Sequence, residues 1–207
     1  MRNGLIKQIF FDIGGVLLNI DSLRSLQYWS ACTGLSVENL RDRFSTEVLE
    51  WYETGNFSDD EFFRSIQENL PRSRQMREED FWAGWDQLIL DETKTAQLLP
   101  ELKQSYRLYL LSNTNHRHIH FELKKRFHFQ YEVHKAFYSF ELGCRKPDKE
   151  IYLKALKEVN GVPRESLFID DMAINIEQAE KLGFKTIHYT SHERTVTLLN
   201  EMGIIAQ

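Results

Sequence analysis

Three short apolar runs in this chain each stop on a polar side chain, and that repetition limits the fold more than any other feature. Gln8-Ile9-Phe10-Phe11 runs into Asp12, followed by Ile13-Gly14-Gly15. Arg107-Leu108-Tyr109-Leu110-Leu111 runs into Ser112-Asn113-Thr114-Asn115, and Leu167-Phe168-Ile169 runs into Asp170-Asp171. Continuous apolar runs of this length read as strands buried on both faces, the signature of a parallel sheet. Helical patterns stand between them, which implies right-handed crossovers and an α/β fold. Ala136-Phe137-Tyr138-Ser139-Phe140 and Phe184-Lys185-Thr186-Ile187-His188 add two further strand candidates, giving about five strands in a doubly wound parallel sheet.

Between the first and second runs the period changes from strand to helix, up to about residue 104. Leu23, Leu26 and Trp29 have helical spacing, Gly34 is a stop, and Ser36 caps a helix bearing Leu40, Phe44 and Val48. Ser58-Asp59-Asp60-Glu61 is a capping-box pattern opening a helix with Phe62 and Ile66 that closes before Pro71. Phe81, Trp82 and Trp85 mark another helix. Much of the aromatic bulk lies in this stretch, including Trp51, Trp82 and Trp85, so it has its own apolar face, and most of these rings read as packing. Further on, a helix is expected from His116 to about Phe127, Gly183 is expected to end the helix after Asp171, and a last helix spans about Glu193 to Met202.

Composition narrows the function. Across 207 residues, 42% are hydrophobic and 28% charged, with a net charge of −5, which is ordinary for a globular chain with a full core. An acidic balance without a dense basic run argues against nucleic acid as a partner and leaves room for a local pocket for a small anion. Cys32 and Cys144 are far apart and in no metal or redox spacing, which fits a reducing compartment. The first seven residues lack an apolar signal core, and no apolar run approaches the roughly 18 residues of a membrane span. The expectation is a cytoplasmic protein without membrane contact, a monomer or weak homodimer.

In open parallel sheets ligands bind beyond the carboxyl ends of the strands. Asp12, Ser112, Asp170 and Asp171 then converge there with Lys146, from the segment Gly143-Cys144-Arg145-Lys146-Pro147-Asp148. The acids suit one hard divalent cation: Mg²⁺ takes about six oxygens, commonly one or two carboxylates with water and substrate phosphate. Ser112 and Lys146 can hold the remaining oxygens of the anion. Asp12 can be metal neighbour and nucleophile together, attacking phosphorus to give an aspartyl-phosphate that water hydrolyses. Main-chain N–H groups after Asp12 add to the stabilisation of the phosphoryl oxygens.

Phe11-Asp12-Ile13-Gly14-Gly15-Val16-Leu17, Leu110-Leu111-Ser112-Asn113-Thr114, Arg145-Lys146-Pro147-Asp148 and Phe168-Ile169-Asp170-Asp171 together resemble, in order and spacing, the four motifs of the haloacid dehalogenase-like hydrolases. The resemblance implies a Rossmann-like core over residues 1–17 and 94–207, with residues 18–93 inserted as a small helical cap of the kind found between motifs one and two. It implies Asp12 as nucleophile, Ser112 as phosphoryl hydrogen-bond donor and Lys146 as the cation steadying both. Gly14, Gly15 and Asn113 fall beside the phosphate. Asp12, the carbonyl of Gly14, Asp170 and Asp171 would bind Mg²⁺, with Asp171 the first choice of the acidic pair. Asn175 would orient that pair from the next helix.

One position departs from the pattern. Family phosphatases usually carry a second Asp two residues after the nucleophile as general acid and base, and here that position is Gly14. The main-chain carbonyl survives and the proton donor does not, a change typically worth 10²- to 10⁴-fold. Asp21 is a candidate substitute if the turn after the first strand folds back, but it reads first as a helix N-cap. Sugar-phosphate phosphatases of the glucose-1-phosphate type resemble this chain in having Asp-x-Gly, a Gly-x-Arg-Lys-Pro segment and an Asp-Asp pair. The expected activity is therefore Mg²⁺-dependent hydrolysis of a small phosphorylated metabolite, such as a sugar phosphate. The alternatives are a metal-independent 2-haloacid dehalogenase, disfavoured because an acidic pair without a cation repels an anionic substrate, and a non-catalytic module that binds a phosphorylated ligand.

Other features read as ordinary structure. His116 and His120 share a helix face that can hold Zn²⁺, yet no further ligand is near, so a surface helix is expected. The charged run Arg72 to Asp80 reads as a solvated loop and helix start. Trp51, Tyr52 and Glu53, just before Gly55, are placed to reach over the site and exclude water.

Overall fold

The computed structural model describes residues 6–205 of the chain. Residues 1–5, part of the stretch read above for a signal core, lie outside the described residues. Five strands, β1 (Gln8–Phe11), β4 (Arg107–Ser112), β5 (Lys135–Tyr138), β6 (Ser166–Asp170) and β7 (Lys185–His188), form one sheet in the order β5-β4-β1-β6-β7. Every neighbouring pair is parallel. The doubly wound sheet expected from the apolar runs is thus the one that forms.

Alternation along each strand divides the sheet into two faces. Ile9, Phe11, Leu108, Leu110, Leu167 and Ile169 join one apolar cluster. Phe10, Tyr109, Leu111 and Phe168 join the other. Register fixes the site as well. Phe11 lies opposite Leu110 and Ile169, so Asp12 and Asp170 leave neighbouring strands at the same level.

The inserted stretch holds α1 (Ser22–Thr33), α2 (Val37–Arg41), α3 (Thr46–Glu53), α4 (Asp59–Glu68) and α5 (Glu78–Asp86). Its helix starts follow the sequence: Asp21 and Ser36 accept from main-chain N–H groups of their first turns, and Ser58 with Glu61 forms a complete capping box. Trp29, Leu40, Tyr52, Phe62, Phe81 and Trp85 build a third cluster of its own. The rings are packing elements, as expected, with the exception of Trp51, which is 42% exposed.

The remaining helices are α6 (Leu99–Leu102), α7 (Lys124–Arg126), α8 (Ser139–Leu142), α9 (Lys149–Glu158), α10 (Ala173–Lys181) and α11 (His192–Glu201). Two local features differ from the sequence expectation. Where a run of helical segments was expected after Asp21 up to about residue 104, β3 (Ile89–Glu92) intervenes and pairs antiparallel with β2 (Leu18–Ile20). Strands of three and four residues carry too little period to read, and their partners lie some 70 positions apart. The helix expected from His116 widens to a π-helix over His118–Leu123 before α7, a distortion that tends to mark functional positions.

Candidate active site

β1 delivers Asp12 to the carboxyl edge of the sheet, where its N–H donates to the Ile169 carbonyl at 2.9 Å. The side chain is nearly sealed from solvent, with Oδ1 accepting from the Ile13 N–H at 2.7 Å. Its other oxygen lies 2.9 Å from Lys146 Nζ, which also lies 2.6 Å from Asp170 Oδ2. One buried ammonium thus bridges two buried carboxylates. Burial pushes the Asp12 carboxyl up to about 7; the Lys146 charge opposes that rise and the Asp170 charge adds to it. Burial works against the Lys146 charge too, yet Asp12 and Asp170 hold its ammonium above the ordinary lysine value.

Asp170 is held on every side. Its Oδ1 accepts from the Met172 N–H at 2.8 Å, and the Asn175 amide donates to both oxygens at 2.9 and 3.1 Å. The Asn175 carbonyl in turn accepts from the Tyr152 hydroxyl at 3.0 Å. Asp171 is half-buried; burial, and then the Asp170 charge, push its carboxyl upward. Its main-chain carbonyl accepts from His188 Nε2 at 2.9 Å. Asp12, Asp170 and Asp171 each offer one oxygen within 4.8 Å of the others. Three hard oxygens gathered this closely fit a hard divalent cation.

The turn after Asp12 makes room for that cluster. Gly15 has φ of +77°, and a Cβ there would sit 2.3 Å from Asp171 Oδ2. Only glycine permits both the conformation and the approach. Ser112 ends β4 in a buried position and lines the same cavity as Gly14 and Asn113. The Asn113 side chain is committed elsewhere: its amide donates to the Lys146 carbonyl at 2.9 Å and its Oδ1 accepts from the Lys146 N–H at 2.8 Å. This pair of bonds ties the end of β4 to the loop that carries Lys146.

A cavity of about 200 Å³ opens from this point toward the inserted helices. Gly14, Ser112 and Asn113 line its inner end; Leu18, Ile20, Leu49, Trp85, Leu88 and Ile89 supply apolar walls. Glu53, Thr114, Asn115 and His118 add further polar groups. His118 is not on the surface face expected for its helix. It is buried and stacked on Trp85 with ring centroids 5.2 Å apart, and burial pushes its imidazole down to about 4. His116 and His120 do lie side by side, 4.4 Å between ring centroids.

Sequence reasoning did not foresee the role of Arg145. It reaches across to the inserted helices, with Nη1 2.7 Å from Glu50 Oε1 and Nη2 3.0 Å from Glu53 Oε2. The two acids stand three residues apart on α3, one turn of the same face, which is the only local signal of a shared partner. Asp21 is occupied as the N-cap of α1, its Oδ1 accepting from the Leu23 N–H at 2.9 Å.

Carboxylates and a lysine gathered at the carboxyl edge of a doubly wound sheet, under an inserted helical segment, define an α/β enzyme that handles small anions. The family model of the haloacid dehalogenase-like hydrolases matches residues 6–183, and the chain belongs to that family. The D-ribitol-5-phosphate phosphatase of Bacteroides thetaiotaomicron is 30% identical over 189 residues, which cover 88% of this chain and 91% of that one. The sesquiterpene phosphatase astK of Aspergillus oryzae is 26% identical over 200 residues, 95% of this chain and 96% of its own. A HAD family enzyme of Bacteroides thetaiotaomicron, crystallised with magnesium and inorganic phosphate, has a TM-score of 0.82 at 28% identity, over 93% of this chain and 98% of that one.

Proposed function

We propose that this hydrolase is a Mg²⁺-dependent phosphatase that cleaves a small phosphorylated metabolite, a sugar or sugar-alcohol phosphate, through a phosphorylated Asp12. The observation that carries the reading is the single Lys146 ammonium bridging Asp12 and Asp170, with Asp171 completing a three-carboxylate cluster. The phosphatases among its relatives support it. Residues 1–17 and 94–207 serve as the catalytic core, and residues 18–93 as a cap that closes the substrate cavity.

Asp12, Asp170, Asp171 and the Gly14 carbonyl would hold the cation, which neutralises charge on the phosphoryl oxygens when bound. Lys146 and the Ser112 hydroxyl bind the same oxygens from the other side, with main-chain N–H groups of Gly14 and Asn113 beside them; the Gly15 N–H, expected there too, is instead taken by the Leu18 carbonyl at 2.8 Å. The Asp12 carboxylate attacks phosphorus; the ester P–O bond breaks and the leaving alkoxide takes up a proton. Water then attacks the aspartyl-phosphate, releasing inorganic phosphate and the free carboxylate. The side chains of Asn175 and Asn113 position Asp170 and Lys146 rather than bind substrate.

A second reading of the leaving group rests on the cavity walls. Leu18, Ile20, Leu49, Trp85, Leu88 and Ile89 suit a carbon skeleton with an apolar face better than a fully hydroxylated chain. A screen of phosphorylated metabolites with Mg²⁺ tests both, comparing sugar and polyol phosphates with prenyl phosphates and using Asp12→Asn as the blank. EDTA-resistant release of halide from 2-haloacids would replace the phosphatase reading with dehalogenation. Ligand binding without turnover would replace it with a binding module.

A further inference from the structure

The chemistry above leaves the leaving alkoxide without a named proton source, because Gly14 has no side chain and Asp21 is occupied in capping α1. Among the described residues that line the cavity, only Glu53 and His118 carry a carboxyl or imidazole side chain. Burial keeps His118 neutral down to about 4, so near pH 7 its ring is not the imidazolium a general acid would have to be. That leaves one carboxyl.

Glu53 is the last residue of α3 and faces the cavity together with Gly14 and Ser112. Its side chain is 15% exposed, and Oε2 accepts no hydrogen bond. Arg145 Nη2 stands 3.0 Å from that oxygen but out of line for a bond, so it locates the carboxyl without satisfying it. The backbone fixes the position from below. Gly55 has φ of +73°, and a Cβ there would lie 2.4 Å from the Phe140 carbonyl oxygen. The end of α3 therefore sits directly on α8, the helix that precedes Arg145 and Lys146.

We propose that Glu53 is the catalytic acid and base of this site, reaching the reacting oxygen from the inserted helices rather than from the nucleophile's own loop. The inference rests on the phosphatase reading. As the P–O bond breaks and Asp12 bonds to phosphorus, the Glu53 carboxyl passes its proton to the departing oxygen, which leaves as the alcohol. In the second half Glu53, now a carboxylate, takes a proton from the water that attacks the aspartyl-phosphate and is ready for the next turnover. The charges facing it are Arg145, Lys146 and Glu50; burial outweighs the two cations and raises its proton affinity, as a general acid requires.

The test exploits leaving groups. 4-Nitrophenolate departs without protonation and a primary alkoxide does not, so a missing acid slows only the second kind of ester. Asp12 phosphorylation is followed in single turnover with Mg²⁺, from 4-nitrophenyl phosphate and from ribitol 5-phosphate or another primary alkyl phosphate. Glu53→Gln should lower the alkyl-to-aryl rate ratio by on the order of 10²-fold, and Gly14→Asp in that background should restore part of it. Glu50→Gln removes the other partner of Arg145 and keeps the Glu53 carboxyl, so it should lower the ratio far less than Glu53→Gln does.

An equal loss for both esters in Glu53→Gln, or a ratio that falls as far in Glu50→Gln, makes Glu53 a structural latch and overturns the proposal. So does a wild-type enzyme that is phosphorylated by the aryl ester and by no alkyl ester. If Glu53→Gln fails to fold, the wild-type ratio is followed against pH: it must fall as pH rises, and a flat ratio overturns the proposal. Absence of Asp12 phosphorylation from either ester would instead remove the phosphatase reading itself.

Discussion

Lys146 Nζ lies 2.6 Å from Asp170 Oδ2, and neither side chain exposes more than 1% of its surface. A pair this deep contributes little net stability, because desolvation offsets the attraction, but losing one partner strands the other. Lys146→Met leaves Asp12 and Asp170 as facing carboxylates without a cation. It is expected to cost about 3–5 kcal/mol of stability in EDTA, with part of that recovered by Mg²⁺. Urea unfolding with and without the metal measures both. Activity should be lost in either condition.

Gly15→Ala separates the metal site from the nucleophile. The added methyl collides with Asp171 Oδ2 rather than with Asp12. The Mg²⁺ concentration for half-maximal activity should rise roughly 10- to 100-fold, as when the support of a metal ligand is lost, while activity at saturating Mg²⁺ falls less. A Mg²⁺ titration of initial rates shows the split.

Asn113→Ala releases the main chain of Lys146 from two hydrogen bonds. A side chain that bound phosphate would change KM chiefly; one that positions Lys146 should lower kcat, by about tenfold for a loss near 1.4 kcal/mol, and leave KM little altered. Steady-state kinetics on any substrate from the screen distinguishes the two.

The pH dependence of stability has a definite sign at His118. The folded state holds its imidazole at about 4 against an ordinary value of 6.5, so only the unfolded chain takes up this proton between those values. Stability contributed here is present above 6.5 and lost as pH falls toward 4. His118→Phe keeps a ring against Trp85 and should flatten that part of the profile. Unfolding free energies of both proteins at pH 7, 6, 5 and 4 give the difference directly.

The central sheet was legible because β1, β4 and β6 are buried on both faces and so read as unbroken apolar runs. Asp12, Ser112, Asp170 and Lys146 were legible because topology alone carries strand ends to one rim. The hairpin β2–β3 was not, since its pairing is set by contacts between distant segments. Nor was the use of Asn113: position pointed to phosphate, but the partner that engages its side chain lies 33 residues along the chain. Arg145 escaped for the same reason, its acids being more than 90 residues earlier. Local pattern encodes what a residue's own strand or helix requires, and these contacts are properties of the assembled rim.

The inserted helices leave and rejoin the sheet at a single point. β2 and β3 run side by side, and the Asp21 N–H donates to the Leu88 carbonyl at 2.9 Å, so the 66 residues between them begin and end within one hydrogen bond of each other. A segment with adjoining ends can be lengthened, shortened or exchanged without disturbing strand register. Evolution, or a protein engineer, can therefore graft a new leaving-group chamber onto this chain as a cassette, and any graft must bring its own acid to the position of Glu53.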